Sequence, residues 1–87
     1  MRLDKFLKLS RLIKRRTLAK EIAEQGRIKL NGQIAKPATN VAIDDEIEIT
    51  FGQTIVTVKV LALKQHVKKA DATSLYEMIK EEKRMIE

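Results

Sequence analysis

Apolar positions recur along this chain with two different periods, and the change from one to the other divides it. Near the start the period is helical. Leu3, Phe6 and Leu7 fall at i, i+3 and i+4 with Lys5 and Lys8 between them, which predicts a short helix with one apolar face. Asp4 falls in its first turn, where the positive end of the helix dipole favours a carboxylate. Ser10 predicts the break, because its side chain competes for backbone hydrogen bonds. Arg11 to Arg16 reads as a basic connector, anchored by Leu12 and Ile13. A second helix is predicted over residues 16–25, burying Leu18, Ala19, Ile22 and Ala23, with Gly26 as the left-handed residue that ends it.

From Arg27 the period falls to two. Ile28 and Leu30 alternate with Arg27 and Lys29, and Asn31-Gly32 is the preferred pair for a two-residue type I′ hairpin turn. Gln33 to Lys36 returns as the partner strand until Pro37 stops it. A polar turn region, 38–45, still lets Val41 and Ile43 point inward. Glu46 to Phe51 alternates again, Gly52-Gln53 offers a tight turn, and Thr54 to Leu63 is the longest strand candidate. Lys64 to Ala70 reads as a linker. Ser74-Leu75-Tyr76-Glu77 fits a capping box, predicting a helix over 75–85 with Leu75, Met78, Ile79, Met85 and Ile86 near one stripe. The elements together predict an α+β fold. Two short N-terminal helices pack on one side of a small, curled antiparallel sheet, and a short C-terminal helix follows. Residues 1–64 form the main unit; 65–87 form a linker and helical tail.

A chain of 87 residues is one domain with a small core. Phe6, Phe51 and Tyr76 are its only aromatic residues, so that core is mostly Leu, Ile, Val and Ala. Without Cys there is no disulfide, thiolate metal site or Cys nucleophile, which fits a cytoplasmic protein. No N-terminal run resembles a signal peptide and no stretch is long enough to span a bilayer.

Charge changes the picture most. Met1 to Lys36 carries eleven basic residues against three acidic ones, whereas Pro37 to Glu87 carries seven against nine. The net charge of +6 therefore belongs to the N-terminal part, which suggests a face built for a polyanion. Nucleic acid is the first reading and an anionic membrane surface the second. So few aromatics disfavour single-strand binding by base stacking; recognition of folded RNA by shape and backbone fits better. His66 has no carboxylate or nucleophile at a telling distance. Asp44, Asp45 and Glu46 lack the loop spacing of a calcium site. No metal, cofactor or catalytic group is expected.

The residues also match a family pattern. Arg2-Leu3-Asp4-Lys5-Phe6-Leu7, then Arg16, Ala19, Ile22, Gly26, Ile28 and Asn31-Gly32, and later Val41 and Asp45-Glu46-Ile47, resemble the S-four RNA-binding domain, or αL motif, over about residues 1–49. In that family the paired helices and hairpin form a concave basic surface for structured RNA. At this length no appended catalytic domain is expected, and the chain is similar to the RqcP group (the YabO proteins), and also to the longer heat-shock protein fifteen. The resemblance implies a non-enzymatic factor that binds rRNA and tRNA on obstructed large ribosomal subunits. There it would stabilise peptidyl-tRNA while an RqcH-type quality-control factor adds C-terminal alanines. The free protein is expected to be a monomer. Arg2, Lys5, Arg11, Arg15, Arg16, Lys29 and Lys36 are the candidate RNA contacts, with Asp4 orienting an arginine. One departure stands out: where the family commonly has a capping Ser before the second helix, this chain has Arg15, which cannot accept a hydrogen bond. The cap must come from elsewhere, for example an RNA phosphate. An RNA-delivery subunit for an rRNA-modifying enzyme, or a membrane-surface binder, are the alternatives.

Overall fold

Leu3–Leu9 forms helix α1 and Arg16–Glu24 helix α2 in the computed structural model of the chain, which describes residues 1–83. Helix α1 has no side-chain cap. Its first amides donate instead to a passing loop: Leu3 to the Thr39 carbonyl at 2.8 Å and Asp4 to the Pro37 carbonyl at 3.2 Å. Two of the donors that a helix start leaves unpaired are thus satisfied by the backbone that follows the hairpin. Leu3, Phe6 and Leu7 are fully buried. The helix ends as its sequence predicts: Ser10 is buried and donates its hydroxyl to the Leu7 carbonyl at 3.2 Å. Arg11 then takes a left-handed φ of 61°, a conformation that costs a non-glycine residue about 1–2 kcal/mol.

Helix α2 buries Ala19, Ile22 and Ala23, and Gly26 follows with φ 74°. Leu18 does not join them. It lies at the edge of the stripe and is 44% exposed, a correction to the expected buried set.

The strands are β1 (Ile28–Leu30), β2 (Gln33–Ile34), β3 (Glu46–Phe51), β4 (Thr54–Val60) and β5 (Tyr76–Lys83), with a 3-10 helix at Lys69–Leu75 before the last. They form one antiparallel sheet in the order β2-β1-β3-β4-β5. Asn31 and Gly32 both have positive φ, 50° and 85°, as a type I′ turn requires. The Asn31 side chain also accepts from the Glu46 amide at 2.9 Å and donates to Asp45 at 3.1 Å, tying the hairpin tip to the start of β3. Alternation sorts the sheet faces. Ile28 pairs with Ile49, Ile47 with Val58 and Ile49 with Val56. These buried side chains join Leu3, Phe6, Leu7, Ala19 and Ile22 in one cluster, so both helices lie on one side of the sheet. Val41 is buried with them, but Ile43 is 55% exposed, contrary to expectation.

The C-terminal segment is the main correction. A short helix is present, but it is the 3-10 helix at Lys69–Leu75, and most of the stretch expected to be helical is strand β5. Ser74 does not cap a helix from 75 onward; its hydroxyl donates to the Asp71 carbonyl. The physical reason is β4, whose outer edge would otherwise be a row of unpaired amides and carbonyls. Tyr76 pairs with Val60 and Met78 with Val58, after which the register shifts. Leu75 is buried, while Met78 and Ile79 are about half exposed. The expected stripe positions Met85 and Ile86 lie outside the described residues. Strand β4 itself stops at Val60, short of the expected Leu63, because the amides of Leu61 and Ala62 turn to the Leu75 carbonyl.

Candidate nucleic-acid interface

The site is assembled around one buried carboxylate. Asp4, in the first turn of α1, is 3% exposed. Arg2 grips it with two donors, Nε to Oδ1 at 3.2 Å and Nη2 to Oδ2 at 3.1 Å. Arg16, the first residue of α2, places Nη2 3.3 Å from Oδ1. Burial pushes the Asp4 carboxyl up, but the hydrogen bonds and positive charges of Arg2 and Arg16 outweigh it and hold the group below its ordinary value. Asp4 therefore stays ionised and joins α1 to α2 at their starts. The arginine partner expected for Asp4 is present twice, as Arg2 and as Arg16.

Two guanidiniums around one carboxylate leave a net positive charge. Each arginine side chain remains 48% exposed, so donors not taken by Asp4 are open to a ligand. Arg2, Asp4, Arg16, Thr17 and Lys20 line an open cleft of about 290 Å³. Lys20 was not among the residues expected at the site. Its signal was its place one turn beyond Arg16, since i and i+4 share a helix face. Thr17 carries no such signal.

The other candidates are placed differently. Arg15 is exposed at the start of α2, which has no side-chain cap, as its chemistry predicted. Arg11 is exposed on the left-handed turn after α1. Lys36 is exposed just before Pro37, the residue whose carbonyl receives the Asp4 amide, which puts it in the loop passing the start of α1. Lys5 is turned away from the cleft: its ammonium donates to the side-chain carbonyl of Gln65. Lys29 is not part of the group. Its neighbours Ile28 and Leu30 turn toward the core, so Lys29 lies on the opposite face of the sheet, opposite Glu48. Arg27 is occupied structurally, with Nε and Nη2 donating to the Thr50 carbonyl at 3.1 and 2.8 Å. Among the described residues no cluster of acids and histidines could hold a metal ion, and no helix is long and apolar enough to cross a membrane.

Known proteins place this geometry. The S4 domain family model matches residues 1–47. The RQC P-site tRNA stabilizing factor of Listeria monocytogenes is 60% identical over 83 residues, covering 95% of this chain and 90% of that protein. The protein of the same name from Bacillus subtilis is 59% identical, covering 95% and 96%. Among solved structures, the trimeric structure of Vibrio cholerae heat shock protein 15 superposes with a TM-score of 0.84 at 32% identity, covering 91% of this chain and 81% of that one. The helix pair closed by Asp4 is thus the opening of an S4 domain, and the chain belongs to the S4 domain family and, within it, to the family of the RQC P-site tRNA stabilizing factors.

Proposed function

We propose that this protein binds rRNA and tRNA on obstructed large ribosomal subunits and stabilises the P-site tRNA by binding alone, without bond chemistry. In the cell it would act in the cytoplasm, as a monomer when free, alongside an RqcH-type factor that adds C-terminal alanines. Residues 1–64 are the RNA-binding unit in this reading.

The observation that carries it is the Arg2–Asp4–Arg16 cluster. A cation at a helix start is mildly unfavourable for the helix dipole, and burying a carboxylate is costly unless it is paired. One buried acid nevertheless holds two half-exposed guanidiniums side by side. Guanidinium forks suit phosphate oxygens, and fixing them in advance lowers the entropy lost on binding. A wedge of this kind raises the cost of tRNA leaving. The membrane reading loses its basis, because Leu3, Phe6 and Leu7 are fully buried and offer no apolar face to lipid.

The test is co-sedimentation with large subunits that carry P-site tRNA. The wild-type chain is expected to travel with them. Arg16→Ala is expected to bind roughly tenfold more weakly, since a charge-assisted hydrogen bond contributes about 1.5–3 kcal/mol. Full affinity in that variant would remove Arg16 from the interface.

A further inference from the structure

The stretch between β4 and the 3-10 helix, expected as a plain linker, is fastened at several points. Ala62, Leu63 and Val67 pack against the core. The amides of Leu61 and Ala62 donate to the Leu75 carbonyl at 2.8 and 3.3 Å. Gln65 is held from α1 by the Lys5 ammonium. Lys64 stands exposed between these anchors, and Lys68 and Lys69 stand exposed just after Val67, at the start of the 3-10 helix.

These lysines differ from an ordinary solvated run in two ways. Among the described residues none of them has a carboxylate partner, although in the same part of the chain Lys59 is paired with Asp44 at 3.7 Å and Lys80 with Glu82. Their backbone is also already ordered by the flanking apolar contacts, so little further ordering is needed for them to meet a polyanion together. This half of the chain is otherwise net acidic, so the three lysines form a basic island in it. Their position follows from α1. Successive helix residues are about 100° apart, so Asp4 with its arginines lies on one flank of α1 and Lys5, with Gln65 attached, on another.

We propose that Lys64, Lys68 and Lys69 form a second phosphate-contacting strip, positioned by Lys5 and Gln65 on a different flank of α1 from the Arg2–Asp4–Arg16 cleft, and that it takes a second segment of folded RNA backbone. This rests on the RNA-binding reading above and adds to it a second contact, so that the molecule grips two phosphate backbones at once. Lysines are compact point charges, and contacts of this kind position a nucleic acid without reading its bases. The segment belongs either to the tRNA or to the rRNA, and the test separates the two.

The chain is compared with a variant combining Lys64→Ala, Lys68→Ala and Lys69→Ala, and with one in which the same three lysines are Arg. Binding is titrated with salt against three probes: free tRNA, large subunits without tRNA, and large subunits carrying P-site tRNA. Thermal melts confirm that both variants are folded, as expected for exposed positions. Each phosphate contact contributes roughly 0.7–0.9 to the log–log salt slope, so the alanine variant is expected to flatten it by about 2. The Arg variant keeps the wild-type slope. Loss confined to free tRNA and tRNA-bearing subunits assigns the strip to tRNA, and equal loss on both kinds of subunit assigns it to rRNA. An unchanged slope on every probe that wild type binds overturns the strip while leaving the cleft intact, and so does weaker binding at an unchanged slope. If wild type binds none of the three, the RNA-binding reading fails and the strip falls with it.

Discussion

Asp4 is the residue on which the start of the molecule turns. Its carboxylate is buried, yet both helix starts bring a guanidinium to it. Removing either arginine leaves Asp4 with a single partner, so Arg2→Ala and Arg16→Ala each carry a stability cost that a purely exposed residue would not. Asp4→Asn asks the sharper question. It raises the net charge by one, so charge alone would tighten RNA binding. Orientation predicts the opposite, because Arg2 and Arg16 lose the acceptor that aims them. The expected outcome is weaker RNA binding together with a stability loss of about 1–3 kcal/mol, toward the lower end because both arginines are half in solvent. The pH dependence has a definite sign. The folded-state value of Asp4 lies below its ordinary 3.8, so its stabilisation is present above about pH 4 and is lost as pH falls through the lowered value. Melts of wild type and Asp4→Asn should therefore differ at pH 7 and converge toward pH 2. A difference that stays constant over that range would show that the ion pairs contribute nothing.

Elements are legible here in proportion to how local their signals are. Helices α1 and α2, the Asn31-Gly32 hairpin and β3 follow from periodicity and turn residues read over a few positions. Strand β5 does not. Leu75, Met78 and Ile79 fit a helical stripe, and Ser74 with Glu77 fits a cap, so local preference points to helix. What reverses it is the open edge of β4, which offers a ladder of backbone hydrogen bonds to any extended segment that reaches it. Leu75 is the hinge of this arrangement: its side chain is fully buried and its carbonyl receives the amides of Leu61 and Ala62. Leu75→Ala keeps those backbone bonds and removes only the packing. A loss of about 2–5 kcal/mol is expected, seen as a lower urea midpoint with the slope unchanged. A loss under about 0.5 kcal/mol would mean that β5 and the 3-10 helix are stitched on by backbone alone.

Across the whole molecule, 42 × 22 × 21 Å in extent, charge is distributed unevenly. The helices, their connector and the hairpin as far as Lys36 carry the positive excess, and the later strands carry exposed acids such as Glu46, Glu77, Glu81 and Glu82. Such a field favours the approach of a polyanion to the basic residues, which orients the encounter before contact. Arg2, Arg11, Arg15 and Arg16 alone should give a log–log salt slope of about −3 for binding to large subunits, and the lysine strip should make it steeper. A slope near zero would be incompatible with phosphate contact as the basis of affinity.

The sequence by itself determined the helix pair, the turn residues, the core-facing side of β1 and β3, and the partnership of Asp4 with an arginine. Each of these depends on spacing along the chain or on the conformational limits of single residues. Only the tertiary structure decided that the C-terminal segment is a strand, that Leu18 faces outward and that Lys20 shares the cleft with Arg16. It also decided that Lys29 lies across the sheet from the helices and that the apolar residues flanking the lysines after β4 pack against the core. Those outcomes depend on which distant backbone edge needs a partner and which surface is left uncovered once the helices are seated, and both are non-local properties of the packed chain.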